Sequence, residues 1–197
     1  AFQRKRGGVE VKLTTSTAPV SFDDRIYDVA IRGSHQPIPG MLSVPFMTET
    51  IVPICHPDLM ENGQLDYPKL LANHTLISYD TEPVSWSEWL SMASQPDLRV
   101  FHSLQFEQMY FALQAAAEGL GVVLVPLFLV ADDIIAGRMC APFGLLGSRQ
   151  RRYYDNASLS NHEIPIIAGF CEWLLKEGQD TEQSIDQWSS AMGWTPS

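Results

Sequence analysis

The chain is poor in cysteine and in positive charge. Of its 197 residues, three are cysteines (Cys55, Cys140 and Cys171) and thirteen are Lys or Arg, against twenty-three Asp or Glu. An odd number of widely spaced cysteines, with no C-x-x-C pair, excludes a disulfide framework. It reads instead as buried thiols in a reducing, cytoplasmic compartment. A net charge of −10 and a pI near 4.8 exclude the cationic face that duplex DNA or an anionic bilayer would demand. No apolar run approaches the roughly 20 residues needed to cross a membrane, so no membrane partner is expected. The basic start AFQRKRGG is not followed by the apolar core of a signal peptide.

Catalytic and cofactor signatures are missing as well. There is no G-x-S-x-G elbow, no H-E-x-x-H, and no glycine-rich phosphate loop closed by Lys-Ser or Lys-Thr. His35, His56, His74, His102 and His162 are scattered, and none has a second His or Cys at metal-ligand spacing. No metal, no cofactor and no enzymatic activity are therefore expected. Asp132 and Asp133 adjoin, but neighbours on a helix point about 100° apart, which suits a solvated face better than an acid–base couple.

What is present is an alternation of strand and helix patterns over a chain that is 45 % hydrophobic, enough for one domain or two small lobes. Val9, Val11 and Leu13 alternate with polar residues and predict a strand, followed by the polar stretch TTST. A second apolar run, 27–31, ends in Gly33, Ser34 and His35. TIVPIC (50–55) is a strand candidate that Pro53 demotes to an edge or bend. Asp66 precedes a short helix with Pro68 in its first turn, and LISY (76–79) predicts a strand. Ser85 with Glu88 three positions on is a capping box, so a helix starts there. RVFHSLQF (99–106) begins strand-like and then turns.

The strongest helix pattern places Met109, Leu113, Ala116 and Leu120 on one face. Gly119 is its expected left-handed cap, and Gly121 allows a sharp entry into VVLV (122–125), which Pro126 ends. LFLVADDIIAG predicts a further helix stopping at Gly137, and RRYYDNAS (151–158) a strand. IPIIAGFCEWLLKEG predicts a last helix capped by Gly178, leaving 179–197 as a polar tail, either a marginal helix or unstructured. Strands alternating with helices give an α/β class.

The run FEQMYFALQAAAEGLGVVLVPLFLVADDIIAGRMCAPF (106–143) resembles the second-lobe signature of LysR-type transcriptional regulators. VEVKLTTS, YDVAIRGSH, TIVPICHPDL and the FCEWLL helix fall in the family's order, so the resemblance covers about 1–178. The W-x-x-W-L after Ser85 and the DD-x-x-A-G-R run are most similar to the glycine-cleavage activator group. That group also holds the tryptophan-synthase activator of pseudomonads and the β-lactamase regulators. The resemblance implies a two-lobed fold like type 2 periplasmic binding proteins, with two crossing strands. Lobe I would comprise 1–53 and 156–178, lobe II 54–155, and 179–197 the tail. It also implies that lobe I opens here at the last turn of its first helix, without the strand and helix that begin it in the family. DNA contact belongs, in the family, to an N-terminal winged helix-turn-helix that these residues do not include. Homodimers or homotetramers, and relay to RNA polymerase, are implied in the same way.

A small-molecule effector would sit in the inter-lobe cleft. Position by position, the resemblance assigns to it Thr14, Thr15 and Ser16, then Gly33, Ser34 and His35. Phe106, Glu107 and Gln108 at the start of the Ala-rich helix, and Tyr153 on the later crossing strand, complete the set. Tyr79 and Asp80 are weaker candidates. A helix N-terminus exposes unpaired N–H groups that suit a carboxylate or phosphate, although an acidic Glu107 there also simply complements the helix dipole. TTST read plainly is a solvated turn, His35 a polar loop residue, and Tyr153 a core side chain. Two other classes share the fold: a transporter's solute-binding protein, which an export signal upstream would reveal, and a small-molecule enzyme such as a deaminase or dehydratase, which turnover would reveal.

Overall fold

The structure is a computed structural model that describes residues 2–16, 18–22, 26–60, 67–146 and 150–194. The chain divides into two compact units: a first of 1–48 with 151–183, and a second of 49–150 with 184–197.

The second unit is built on three buried strands and an exposed one at the edge. Strand β2 (Leu42–Ile54) enters it from the first unit, and its last four residues pair antiparallel with β5 (Val122–Pro126). β3 (Leu76–Tyr79) lies parallel to β5 on one side and to β4 (Ser103–Phe106) on the other. Both faces of β5 and of the end of β2 are covered, so these strands read as continuous apolar runs rather than alternating ones; β4, with Ser103 to Gln105 exposed, does not. On one face Val52, Ile54, Ile77, Val123 and Val125 pack against Ala112, Ala115 and Ala116 of α4 (Met109–Ala117). On the other, Ile51, Leu76 and Leu124 pack with Leu71 and Trp89. Leu71 belongs to α2 (Tyr67–Asn73) and Trp89 to α3 (Trp86–Met92).

Local chemistry sets several of these boundaries. The Ser85 hydroxyl accepts from the Glu88 amide while the Glu88 carboxylate accepts from the Ser85 amide at 2.9 Å, a complete capping box at the head of α3. Gly119 takes φ +77° just beyond α4. Gly121 is required for space, since a Cβ there would stand 2.2 Å from the Thr75 carbonyl oxygen, which accepts from the Val122 amide. The predicted LFLVADDIIAG helix is split into a 3-10 turn (Leu127–Leu129) and a short α5 (Ala131–Ile135) with Gly137 left-handed beyond it. Asp133 on α5 accepts from Arg138 Nε at 2.7 Å, so its carboxylate is engaged in a surface ion pair.

In the first unit, β1 (Ala30–Ser34) pairs antiparallel with β6 (Gln150–Ala157), and β6 neighbours β2. The unit also holds α1 (Phe2–Lys5), α6 (Leu159–His162) and most of α7 (Pro165–Ala191). Phe2 meets Phe170 edge-on at 5.3 Å between ring centroids and Trp173 at 5.5 Å.

Three expectations are corrected here. Residues 9–16 form no strand. Val9 and Val11 are only partly covered and Leu13 is 86 % exposed, so their alternation fully buries no face. The second apolar run becomes a strand only from Ala30, three residues later than its pattern suggests, because Tyr27 and Asp28 lie outside the ladder with β6. Gly178 is no cap. It sits inside α7, where a Cβ would lie 2.0 Å from the Phe46 carbonyl oxygen, so glycine permits close packing of helix on strand. The stretch after it is accordingly helical to Ala191, and Ile185 and Trp188 pack on the second unit's core. Asp66, read as preceding α2, lies outside the described residues.

Candidate functional site

The assigned residues fall into two groups, one in each unit. In the second unit, β3 and β4 run parallel, so their C-terminal ends lie together: Tyr79 stands opposite Phe106 in the register. The Asp80 amide donates to the Phe106 carbonyl at 3.1 Å, and Gln105 Nε2 donates to Asp80 Oδ1 at 2.9 Å. The chain then turns through Glu107 and Gln108 into α4. Gln108 is the N-cap, with extended backbone, and its carbonyl accepts from the amides of Phe111 and Ala112; its side chain makes no capping bond. Strand ends facing a helix N-terminus form the usual place for a polar ligand on an open α/β sheet. Phe106 is half-buried, while Asp80, Glu107 and Gln108 are exposed. Beneath them Glu82 accepts from the Tyr79 amide at 3.4 Å, and burial pushes its carboxyl above the ordinary glutamate value.

In the first unit, register brings Gly33 opposite Tyr153 and Ser34 opposite Arg152. Ser34 Oγ donates to the Gln36 carbonyl at 2.6 Å, closing the turn that carries the exposed His35. The Tyr153 ring is half-buried, 6.3 Å from that of Phe46. Ser16 is tied in through Arg32, whose guanidinium donates to the carbonyls of Ser16 and Ala18. Thr14 and Thr15 are exposed and outside any regular element.

Pattern reading missed the side chains that hold this arrangement. Arg32 anchors Ser16 and Ala18, and Arg151 donates to the Gly33 carbonyl. Asn156, fully buried, donates to the carbonyls of Ala30 and Tyr154 and accepts from Ser43 Oγ at 2.6 Å. An Arg inside the apolar YDVAIRGSH run and an Asp-Asn pair inside a strand were the available signals, since polar groups in such places need partners. Asp155, 1 % exposed, accepts from the Cys171 thiol and the Val44 amide; burial nevertheless raises its carboxyl above the usual aspartate value. Burial and that carboxylate together push the Cys171 thiol up to about 12.

Among the described residues no group of three or more His, Cys, Asp or Glu could hold a metal ion, and no helix is long and apolar enough to cross a membrane.

The model of the LysR substrate binding domain matches residues 1–179. The chain belongs to this family. It is 29 % identical over 181 residues to the HTH-type transcriptional regulator PerR of Escherichia coli K12, covering 89 % of this chain and 59 % of that protein. To the glycine cleavage system transcriptional activator of the same strain it is 30 % identical over 159 residues, covering 80 % and 52 %. To TrpI of Pseudomonas aeruginosa it is 30 % identical over 154 residues, covering 76 % and 52 %. The chain thus spans little more than half the length of these relatives, all of which are named as transcriptional regulators. Among solved structures it resembles the effector domain of AmpR from Pseudomonas aeruginosa, with a TM-score of 0.74 at 23 % identity, covering 93 % of this chain and 87 % of that one. The regulatory domain of CrgA from Neisseria meningitidis gives 0.71 at 18 % identity, covering 89 % and 87 %. The fold is therefore the periplasmic-binding-protein-like one of LysR effector domains, as the resemblance implied.

Proposed function

We propose that this chain is the effector-sensing part of a cytoplasmic LysR-type transcriptional regulator and that it binds a small metabolite without transforming it. The family match over 1–179 carries this reading. The compact units correspond, in this proposal, to the family's two regulatory lobes, and each carries one of the two groups of proposed effector residues described above. Gln108 and the N–H groups at the head of α4 hold a polar or anionic head, and Phe106 and Tyr153 cover an apolar part. Thr14, Thr15, Ser16, Gly33, Ser34, His35 and Glu107 complete the proposed set. The effector shifts a conformational equilibrium through its different affinity for two states, and the change passes to a winged helix-turn-helix that would precede these residues, and so to DNA and RNA polymerase. Self-association into homodimers is supported by the apolar surface of α4, where Tyr110 and Phe111 are exposed side by side.

A thermal-shift screen of amino acids, indole compounds and cell-wall peptides tests the reading. A ligand at ~100 times its Kd adds ~2.7 kcal/mol to stability. Gln108→Ala and Tyr153→Phe are expected to abolish the shift while leaving the unliganded melting temperature unchanged. Full shifts in both variants overturn the site assignment, and conversion of the bound compound to a product overturns the sensor reading in favour of an enzyme.

A further inference from the structure

The thiols of Cys55 and Cys140 are 85 positions apart in sequence and adjacent in space. Cys55 directly follows β2, and Cys140 lies just beyond the Gly137 turn; both belong to the second unit. They form an isolated antiparallel bridge in which each backbone amide donates to the other's carbonyl, at 3.0 and 2.9 Å. Such a doubly bonded pair sets the Cα atoms about 5.5 Å apart, the separation most disulfides adopt. The two Sγ atoms already stand 3.5 Å from each other, and both cysteines are free. Neither belongs to the proposed effector site.

We propose that Cys55 and Cys140 are a redox modification site that closes reversibly into an intramolecular disulfide by exchange with a low-molecular-weight disulfide such as oxidised glutathione. Bringing the sulfurs to about 2.05 Å requires side-chain rotation and a small approach of two backbone segments that are already paired. The roles of the two thiols differ. Cys140 is partly exposed and Cys55 fully buried, so an incoming disulfide meets Cys140 first. The thiol–thiol contact lowers the pKa of Cys140, whereas the same contact and burial raise that of Cys55. In the first step the Cys140 thiolate attacks one sulfur of the small disulfide. A Cys140–S bond forms, the old S–S bond breaks, and one small thiolate leaves. Cys55 then attacks Cys140 Sγ, forming the internal disulfide and expelling the second small thiolate, which takes up the Cys55 proton. Two protein thiols are oxidised and one small disulfide is reduced to two thiols.

The test uses the 197-residue chain equilibrated at reduced-to-oxidised glutathione ratios from about a thousand to one down to about one to one, then acid-quenched, alkylated and digested with trypsin without reduction. The expected result is a linked pair of peptides, 33–69 and 139–149, that dithiothreitol separates. Cys171 in peptide 153–176 stays free and is alkylated once the chain is denatured, so the thiol count falls from three to one. Closing this long loop should also raise the melting temperature by several degrees. In Cys55→Ser the glutathione adduct should persist on Cys140, and in Cys140→Ser no adduct or linkage should form. The proposal is overturned if peptides 33–69 and 139–149 stay reduced across the series, if they link only in urea, or if Cys171 links as readily. The mapping of the unaltered chain decides this even if a Ser variant fails to fold.

Discussion

The second unit closes around two apolar clusters that run on both sides of β2, β5 and β3, whereas the first unit buries Asp155 and Asn156 in the strand that holds it together. Its described apolar interior is limited to Phe2, Phe46, Tyr154, Ala157, Ile167 and Cys171. The second unit also buries Glu49 and Ser189, but it is stabilised chiefly by area removed from water; the first, with fewer buried apolar residues, leans more on the bonds around Asp155 and Asn156, where a buried polar group that loses its partner costs about 1–3 kcal/mol. The contrast suggests where each unit tolerates change. The second absorbs surface substitutions but not cavities; the first is sensitive to single polar partners.

The largest effect should come from emptying the second unit's core. Trp89 is 1 % exposed and packs against Trp86 and Phe143, so Trp89→Ala should cost about 3–5 kcal/mol by urea unfolding followed by circular dichroism. Phe170→Ala, on a half-buried ring of the first unit, should cost no more than about 2 kcal/mol. Equal losses would break the contrast.

Next comes Gly178→Ala. Alanine gains about 1 kcal/mol of helix propensity over glycine, but a methyl 2.0 Å from the Phe46 carbonyl must push α7 off β2. Overpacking against backbone costs about 1–3 kcal/mol, so a net loss is expected, and a stabilised variant would mean that the helix is not tight on the strand. Ser85→Ala should cost about 1 kcal/mol by removing the α3 cap, with Ser85→Gly losing only a few tenths.

The smallest effect is one of pH. Asp155 has its carboxyl raised above the unfolded value, so between the two values the folded state binds more protons and stability falls as pH rises. Acidifying from pH 7 toward 4 should therefore stabilise the native chain relative to Asp155→Asn. Glu82, also raised by burial, should give a parallel trend relative to Glu82→Gln. A flat difference for Asp155 would show that its hydrogen bonds outweigh its burial.

What could be read in advance follows the reach of each signal. The capping box of α3, the LISY strand and the left-handed Gly119 depend on residues within a few positions, and all three stand in the structure as read. Gly178 is not legible in advance, because a glycine near the end of an apolar pattern is equally a cap or a point of close approach, and only the position of Phe46 distinguishes them. Val9 to Leu13 alternates properly, yet alternation makes a strand only where a neighbour and a core accept it. Of the proposed site, Phe106 to Gln108 was legible from the helix start. The pairing of Gly33 with Tyr153, and the service of Arg32 and Asn156, require contacts between segments over a hundred residues apart or polar bonds that no spacing encodes.

The uneven placement of indoles has an optical consequence. Trp86, Trp89, Trp188 and Trp194 belong to the second unit, and Trp173 is the first unit's only one. Its Nε1 donates to Glu177 at 2.8 Å, and its ring touches Phe2 and Phe170. Intrinsic emission of the native chain therefore reports mainly on the second unit. A version retaining Trp173 alone would turn the same spectrometer into a probe of the first, letting the unfolding of each be followed separately in one cuvette.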